Sequence, residues 1–272
     1  MDNRQEINLI GGGFQHSVST SGFEPLFIKW VKGIETSPIS IYVDDAIRTH
    51  QVNSIKKNYG WLSESKTIKL GIYDWCENNI EILKNKFISV FTHDKQLALI
   101  SDIFVLTQCS GKSFLPSSDA EIYNKTDLVS IIVSNKKICA EHLFRHTTVE
   151  KYGGKCDLYG RGFNELPNKL DGLKKYCFSF AMENATYPNM FTEKITDCFV
   201  TGTIPIYYGI NNIGDFFNEE GIITLDDEFR FEDLSFELYE KKRDAIKDNF
   251  NIANNMLVAE DYIYVNFIKN EI

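Results

Sequence analysis

The sequence predicts an α/β protein built as two Rossmann-like halves. Short apolar, β-branched runs recur along the chain and alternate with helical stretches, as in the βαβ units of parallel sheets. A mostly polar stretch, residues 111–125 with Pro116-Ser117-Ser118, divides these runs into two series and reads as a linker. The 272 residues, 43% of them hydrophobic, are enough to bury the core of one large or two modest domains. The expected halves are residues 1–110 and 126–272.

In the first half, Asn8-Leu9-Ile10 is a short strand running into Gly11-Gly12-Gly13. The triple glycine lacks both the GxGxxG spacing and the Lys-Ser/Thr of a phosphate loop, so it reads as a strand-exit turn or a weak phosphate-loop signal. Residues 39–43 and 86–91 are β-branched and aromatic strands with a helix expected over 74–83, and residues 103–106 close the series. The second half opens on Leu128-Val129-Ser130-Ile131-Ile132-Val133, a near-continuous apolar strand of the kind buried on both faces. A helix over 140–152 follows, then strands over 156–160, 177–182, 204–208 and 222–225. A helix is expected from Lys194 to about Val200, and the tail from Leu234 is helical in pattern.

A net charge of −9 and an isoelectric point near 5.2 argue against a general nucleic-acid or membrane-surface binder, and an anionic ligand would need a local cluster of cations. No apolar run approaches the roughly 20 residues of a membrane span, and the first residues lack the basic-then-apolar order of a signal peptide. Cys76, Cys109, Cys139, Cys156, Cys177 and Cys198 form no CxxC pair and no Cys/His metal spacing. They read as reduced, mostly buried thiols of a cytoplasmic protein.

The densest chemistry lies in residues 183–194, Glu183-Asn184-Ala185-Thr186-Tyr187-Pro188-Asn189-Met190-Phe191-Thr192-Glu193-Lys194, which follow a strand and open a helix. Carboxyl ends of strands are where open α/β sheets bind ligands, and helix starts favour anions. Asn184 presents an amide, Glu193 can accept two hydroxyl protons such as a ribose diol offers, and Lys194 can neutralise phosphate. No Asp-x-Asp pair stands at a promising strand end to chelate a divalent cation; Asp44-Asp45 and Asp226-Asp227 read as turn or cap acids. A diphosphate would then need protein cations. Arg145, on the helix after the Val133 strand, is the second candidate, because a guanidinium binds phosphate oxygens bidentately. A solvated Lys194 and a helix-surface Arg145 are the plainer alternatives.

Phe180-Ala181-Met182-Glu183-Asn184 through Thr192-Glu193-Lys194, with Gly202-Thr203-Ile204-Pro205-Ile206 and Gly209, resembles the donor-binding motif of the α-1,3-fucosyltransferases, glycosyltransferase family 10. The resemblance extends to Ser134-Asn135, to His142-Leu143-Phe144-Arg145-His146 and to Asp157-Leu158-Tyr159-Gly160-Arg161-Gly162. In the first half, Trp61-Leu62-Ser63-Glu64-Ser65 is similar to the family's Trp…Glu-Ser segment. One departure stands inside the motif: Met190 occupies the place where the family usually has tyrosine.

The resemblance implies two facing Rossmann-like domains of GT-B type, and inverting transfer of fucose from GDP-fucose to a hydroxyl of an acceptor glycan. It implies donor binding by Arg145, Asn184, Glu193 and Lys194: Glu193 on the ribose hydroxyls, Lys194 and Arg145 on the diphosphate, and Asn184 in the donor pocket. It implies Glu64 as the base that takes the acceptor proton, with Glu77 second. No metal or other cofactor is expected to be essential, and neither nucleic acid nor a transmembrane segment is expected. The same fold with another GDP-sugar, or a catalytically weak sugar-nucleotide- or glycan-binding protein, are the alternatives that Met190 keeps open.

Overall fold

The computed structural model describes residues 2–12, 17–107, 111–137 and 140–271. The chain forms two compact units. The first comprises Met1–Ser110, Pro188–Met190 and Leu257–Ile272, and the second Gly111–Tyr187 and Phe191–Met256.

The first unit carries a six-stranded, wholly parallel sheet of β1 (Gln5–Ile10), β2 (Ile28–Lys32), β3 (Ile39–Val43), β4 (Lys57–Trp61), β5 (Ser89–Thr92) and β6 (Phe104–Leu106), in the order β2-β1-β3-β4-β5-β6. Two of these strands were not expected. β2 (IKWVK) interleaves lysine with apolar residues and lies at an edge. β4 (KNYGW) contains residues poor in strand propensity but is buried over its last four positions. Its neighbours hold it there: a Cβ at Gly60 would stand 3.1 Å from Val90 Cγ2 and 3.3 Å from Ile47 Cδ1. Packing of this kind overrides intrinsic preference. Between the strands lie α1 (Ala46–Thr49), α2 (Lys66–Asn78), α3 (Ile80–Lys86) and α4 (Lys95–Ile100). The single helix expected over 74–83 is therefore two, broken at Asn79 (φ −131°, ψ 37°), whose side chain donates back to the Trp75 carbonyl at 2.8 Å.

The second unit carries five parallel strands, β7 (Asp127–Ile132), β8 (Asp157–Tyr159), β9 (Tyr176–Met182), β10 (Ile204–Tyr208) and β11 (Ile223–Thr224), in the order β11-β10-β9-β7-β8. Every residue of β9 is buried, as its apolar run demands. Val129, Ile131, Phe178, Phe180, Ile204 and Ile206 form the core with Tyr152 of α5 (Ala140–Tyr152) and Tyr239 of α7 (Phe236–Lys241); α6 (Glu193–Phe199) and α8 (Arg243–Asn254) complete this unit's helices. Residues 111–125 are not a free linker. Glu121 and Tyr123 donate backbone N–H groups to the carbonyls of Val200 and Thr201, and Ser113 and Phe114 bind the buried carboxylate of Asp197.

Residues 257–272, expected with the second half, belong to the first unit. The cause is a pair of buried acids at α9 (Ala259–Ile263). Asp261 accepts the backbone N–H groups of Leu26 at 2.6 Å and Phe27 at 3.0 Å, and Glu260 accepts that of Thr20 at 2.5 Å. Ala259, Ile263 and Ile268 then fill the core around Ile7, Ile28 and Ile41.

Cys76, Cys156, Cys177 and Cys198 are free thiols; Cys109, Cys139 and Gly13 lie outside the described residues. Among the described residues, no helix is long and apolar enough to cross a membrane.

Candidate functional site

In the second unit β7 is flanked by β8 on one side and β9 on the other, so the winding of the sheet reverses between β7 and β9. Ligands of open α/β sheets bind outside the carboxyl ends of the strands at such a reversal. A cavity of about 270 Å³ opens there, walled by Val133 and Ser134 after β7, Gly160 and Arg161 after β8, Met182 at the end of β9, Arg145 of α5, Lys169, and Glu193 and Lys194 of α6. Gly160 is required by the geometry. Its φ is +115°, and a Cβ would stand 1.8 Å from the Val133 carbonyl oxygen, so only glycine lets the turn after β8 close against β7.

The helix mouth differs from the expected open anion site. α6 has seven residues, and the anion at its start is the protein's own Glu183, which is fully buried. Glu183 Oε1 accepts the Thr192 backbone N–H at 2.8 Å, and Oε2 accepts the Thr192 hydroxyl at 2.7 Å and Lys194 Nζ at 3.2 Å. Lys194 also donates to Thr192 Oγ1 at 2.7 Å. Lys194 is thus partly committed as the counter-charge of a buried carboxylate, and its ammonium is held in place at the cavity wall. Gly209 follows from the same packing, because a Cβ there would come within 2.2 Å of the Tyr207 hydroxyl and 3.0 Å of Glu183 Cγ.

Arg145 is buried rather than solvated on its helix. Its Nη2 donates to the Met182 carbonyl at 2.8 Å and to Asn184 Oδ1, which ties the guanidinium to the end of β9. Asn184 also hydrogen-bonds the buried His142, whose pKa is pulled down by burial and by the charges of Arg145 and Lys136, against the raising effect of that bond. Asn184 therefore orients the cation of the cavity.

Burial pushes the Glu193 carboxyl up, but Lys194 and Lys169 more than reverse this and hold it below the usual carboxylate range. Lys169 is itself ion-paired with Asp197, fully buried one turn further along α6. Four cations (Arg145, Arg161, Lys169 and Lys194) and one carboxylate, Glu193, line the cavity, an arrangement that favours a polyanion. Lys169 and Asp197 were not anticipated. The i, i+4 spacing of Glu193 and Asp197 was a signal that they share a helix face, whereas nothing in the sequence around Lys169 points to it.

Arg145, Glu193 and Lys194 thus come together around one cavity, with Asn184 behind Arg145. Glu64 lies in the first unit, on the turn between β4 and α2, half-buried. Its Oε1 accepts the Ser65 N–H at 2.9 Å, its own N–H reaches Asp44 Oδ1 at 3.2 Å, and its carbonyl accepts the Tyr73 hydroxyl at 2.6 Å. Tyr73 approaches His93 Nε2 at 3.4 Å; burial lowers the pKa of that histidine to about 4, against the pull of Asp94. Glu77 is exposed in the last turn of α2, away from the strand ends. Met190 is buried, 1% exposed. Asp44 serves the turn by holding Ser63 and Glu64, and Asp226 accepts the Glu228 N–H at 3.0 Å. Among the described residues no group of three or more His, Cys, Asp or Glu is placed to hold a metal ion.

Residues 122–249 match the family described as glycosyltransferase family 10 (fucosyltransferase), C-terminal part. The chain is 30% identical over 153 residues to the 3-galactosyl-N-acetylglucosaminide 4-α-L-fucosyltransferase of Pan troglodytes, covering 53% of this chain and 40% of that protein. It is 30% identical over 108 residues to the α-(1,3)-fucosyltransferase of Helicobacter pylori, covering 39% and 22%. The chain therefore spans less than half the length of these relatives. Its fold is that of a solved α1,3-fucosyltransferase, with a TM-score of 0.52 at 15% identity over 91% of this chain and 80% of that one; a crystal structure titled as α1,3-fucosyltransferase with GDP gives 0.51 at 14% identity over 93% and 82%. The two parallel-sheet units of an α/β, GT-B-type protein are thus as the sequence predicts.

Proposed function

We propose that the protein belongs to glycosyltransferase family 10, whose model residues 122–249 match, and that it moves fucose from GDP-fucose to a hydroxyl of an acceptor glycan with inversion. The observation that carries this is the cationic cavity at the winding reversal of the second sheet, where Arg145, Glu193 and Lys194 converge. Lys194 and Arg145 neutralise the diphosphate, both in the ground state and as GDP departs. Glu193, kept ionised by its neighbouring lysines, accepts the ribose hydroxyls. Asn184 keeps the Arg145 guanidinium on station. Because these cations supply the charge, no divalent metal or other cofactor is required. Glu64 is our choice for the base that removes the acceptor proton, since its carboxylate stands at a strand end whereas Glu77 is exposed on a helix. The cytoplasm is the proposed location, supported by Cys76, Cys156, Cys177 and Cys198, which among the described residues are free thiols.

Met190 in place of the usual tyrosine favours a second reading, the same scaffold with another GDP-sugar. Incubation with GDP-fucose and with other GDP-sugars, each against a panel of N-acetyllactosamine-type and other acceptors, separates the two. GDP release with fucose alone supports the first, and release with a different sugar alone supports the second. GDP binding without release from any donor would sink both and leave a binding protein.

A further inference from the structure

The donor cavity does not end at Lys169. A second recess of about 270 Å³ continues it at the end of β8, lined by Ile132, Gly160, Arg161, Glu165, Leu166 and Lys169. Ile132, Gly160, Arg161 and Lys169 also line the donor cavity, so the two spaces adjoin. Arg145 and Lys194, the proposed diphosphate cations, line the first space and not the second. The end of β9, where the Met182 carbonyl holds Arg145, lies two strands from β8, roughly 10 Å at the usual spacing. Backbone bonds fix the rim of the recess. The Val133 N–H donates to the Tyr159 carbonyl at 2.9 Å and the Asn135 N–H to the Arg161 carbonyl at 3.1 Å, which stitches the exits of β7 and β8 together. The Gly160 N–H donates to the Asn164 carbonyl at 2.9 Å, so the loop folds back and brings Glu165 to the same recess as Arg161. The floor is apolar: a Cβ at Gly172 would stand 2.6 Å from Leu166 Cδ1 and 2.8 Å from Ile132 Cδ1, because both side chains close on that glycine.

Glu165 and Arg161 are exposed, and among the described residues neither side chain has a hydrogen-bond or ion-pair partner. An apolar floor with a few polar groups at its edge is the usual make-up of a site for a flat organic ring. The polar groups here match guanine. Its N1–H and N2 amino group are adjacent donors, which one carboxylate accepts together, and its O6 and N7 are adjacent acceptors, which one guanidinium fills. Adenine instead turns an N1 acceptor toward the carboxylate, and two acceptors repel. A nucleotide whose diphosphate sits between Arg145 and Lys194 reaches this recess with its base by lying across the ends of β7 and β8. We propose that the recess at the end of β8 is a purine-base site in which Glu165 selects guanine by accepting N1–H and N2–H, with Arg161 donating to O6 and N7. This deepens the GDP-sugar reading and rests on it.

Titration calorimetry of wild type and Glu165→Gln against GDP, IDP and ADP tests this. IDP keeps O6 and N1–H but lacks the N2 amino group. Wild type should bind GDP about tenfold tighter than IDP and about 10²-fold tighter than ADP. Glutamine puts one acceptor and one donor where the carboxylate had two acceptors. Glu165→Gln should therefore weaken GDP by about 10- to 100-fold, bring GDP and IDP together, and leave ADP no weaker. The substitution is isosteric and breaks no side-chain bond among the described residues, so folding is not at stake. Plain electrostatics has the opposite sign, since deleting a carboxylate near a diphosphate strengthens every nucleotide alike. Unchanged or tighter GDP binding by the variant, or equal weakening of all three nucleotides, overturns the role of Glu165. A wild type that binds GDP and ADP equally overturns the base site. A wild type that binds none of the three overturns the donor reading itself, so the failures are distinguishable.

Discussion

The two units use nearly the same winding, with the first strand of each sheet between the second and the third, yet the residues at their strand ends differ. In the first unit the backbone packs tightly at the end of β1. Gly11, at φ +82°, packs so tightly that a Cβ would lie 2.4 Å from Ala46 Cβ and 3.1 Å from the Val43 carbonyl. The cavity at the ends of β1 and β2, about 280 Å³, has Glu35 and His50 as its ionisable lining residues. The neighbouring strand ends carry Asp44, Glu64 and Asp94. In the second unit the reversal stays open and four cations line it. A doubly wound sheet dictates where a ligand goes, and the charges placed on the turns dictate which ligand. One edge carries clustered cations that suit a polyanion, and the other carries carboxylates, of which Asp94 is paired with Lys66.

The largest expected effect tests that division directly. Glu64→Gln removes the proposed base from the acidic edge and leaves the cationic cavity intact. The turnover rate should fall by about 10²–10⁴ with the dissociation constant for GDP unchanged. Glu77→Gln, on the exposed end of α2, should leave both unchanged. If instead Glu77→Gln abolishes turnover while Glu64→Gln does not, the base moves to α2.

Lys194→Ala should have the converse signature. It removes the proposed phosphate-binding cation and also the counter-charge of buried Glu183, which keeps its bonds to the Thr192 N–H and hydroxyl. Calorimetry should show GDP binding weakened by about 3 kcal/mol, with part of the loss appearing as a lower melting temperature, since breaking a buried pair is itself destabilising. An unchanged GDP affinity removes the phosphate assignment and with it the contrast between the edges.

What the sequence showed of this arrangement depended on how local each signal was. The apolar runs of β7, β9 and β10 are continuous, so the strands that frame the cavity were legible, and the motif from Glu183 to Lys194 placed the cavity itself. β4, with lysine, asparagine and glycine in five residues, is a strand only because its neighbours bury it. The return of residues 257–272 to the first unit rests on Glu260 and Asp261 accepting N–H groups more than 230 positions away in the sequence, and no local pattern announces that. The Lys169–Asp197 pair is hidden for the same reason: it joins a 3₁₀ turn to a helix 28 positions on. Arg145 could have been a surface residue by its sequence context; the carbonyl of Met182 and the amide of Asn184 decide otherwise.

The smallest effect compares the two edges of the second sheet itself. At the amino edge Lys125 donates to the Thr201 carbonyl at 2.7 Å, to Thr203 Oγ1 at 3.0 Å and to the Lys174 carbonyl at 3.2 Å, none of them charged. At the carboxyl edge Lys169 and Lys194 each face a carboxylate. Without such a partner, burial lowers the pKa of Lys125 to about 7, against 10.5 for an unperturbed lysine. Between those values the unfolded chain holds a proton that the folded chain does not, so stability rises with pH across this window. The contribution of Lys125 is complete above the unfolded value and is lost as pH falls through about 7. Lys125→Met should flatten the rise in urea stability between pH 7 and pH 9, by up to about 1.4 kcal/mol per pH unit, while lowering stability at pH 9 by about 1–3 kcal/mol through the acceptors it leaves bare. Equal slopes in variant and wild type would mean that Lys125 is charged when folded, and that its three neutral acceptors alone offset its burial.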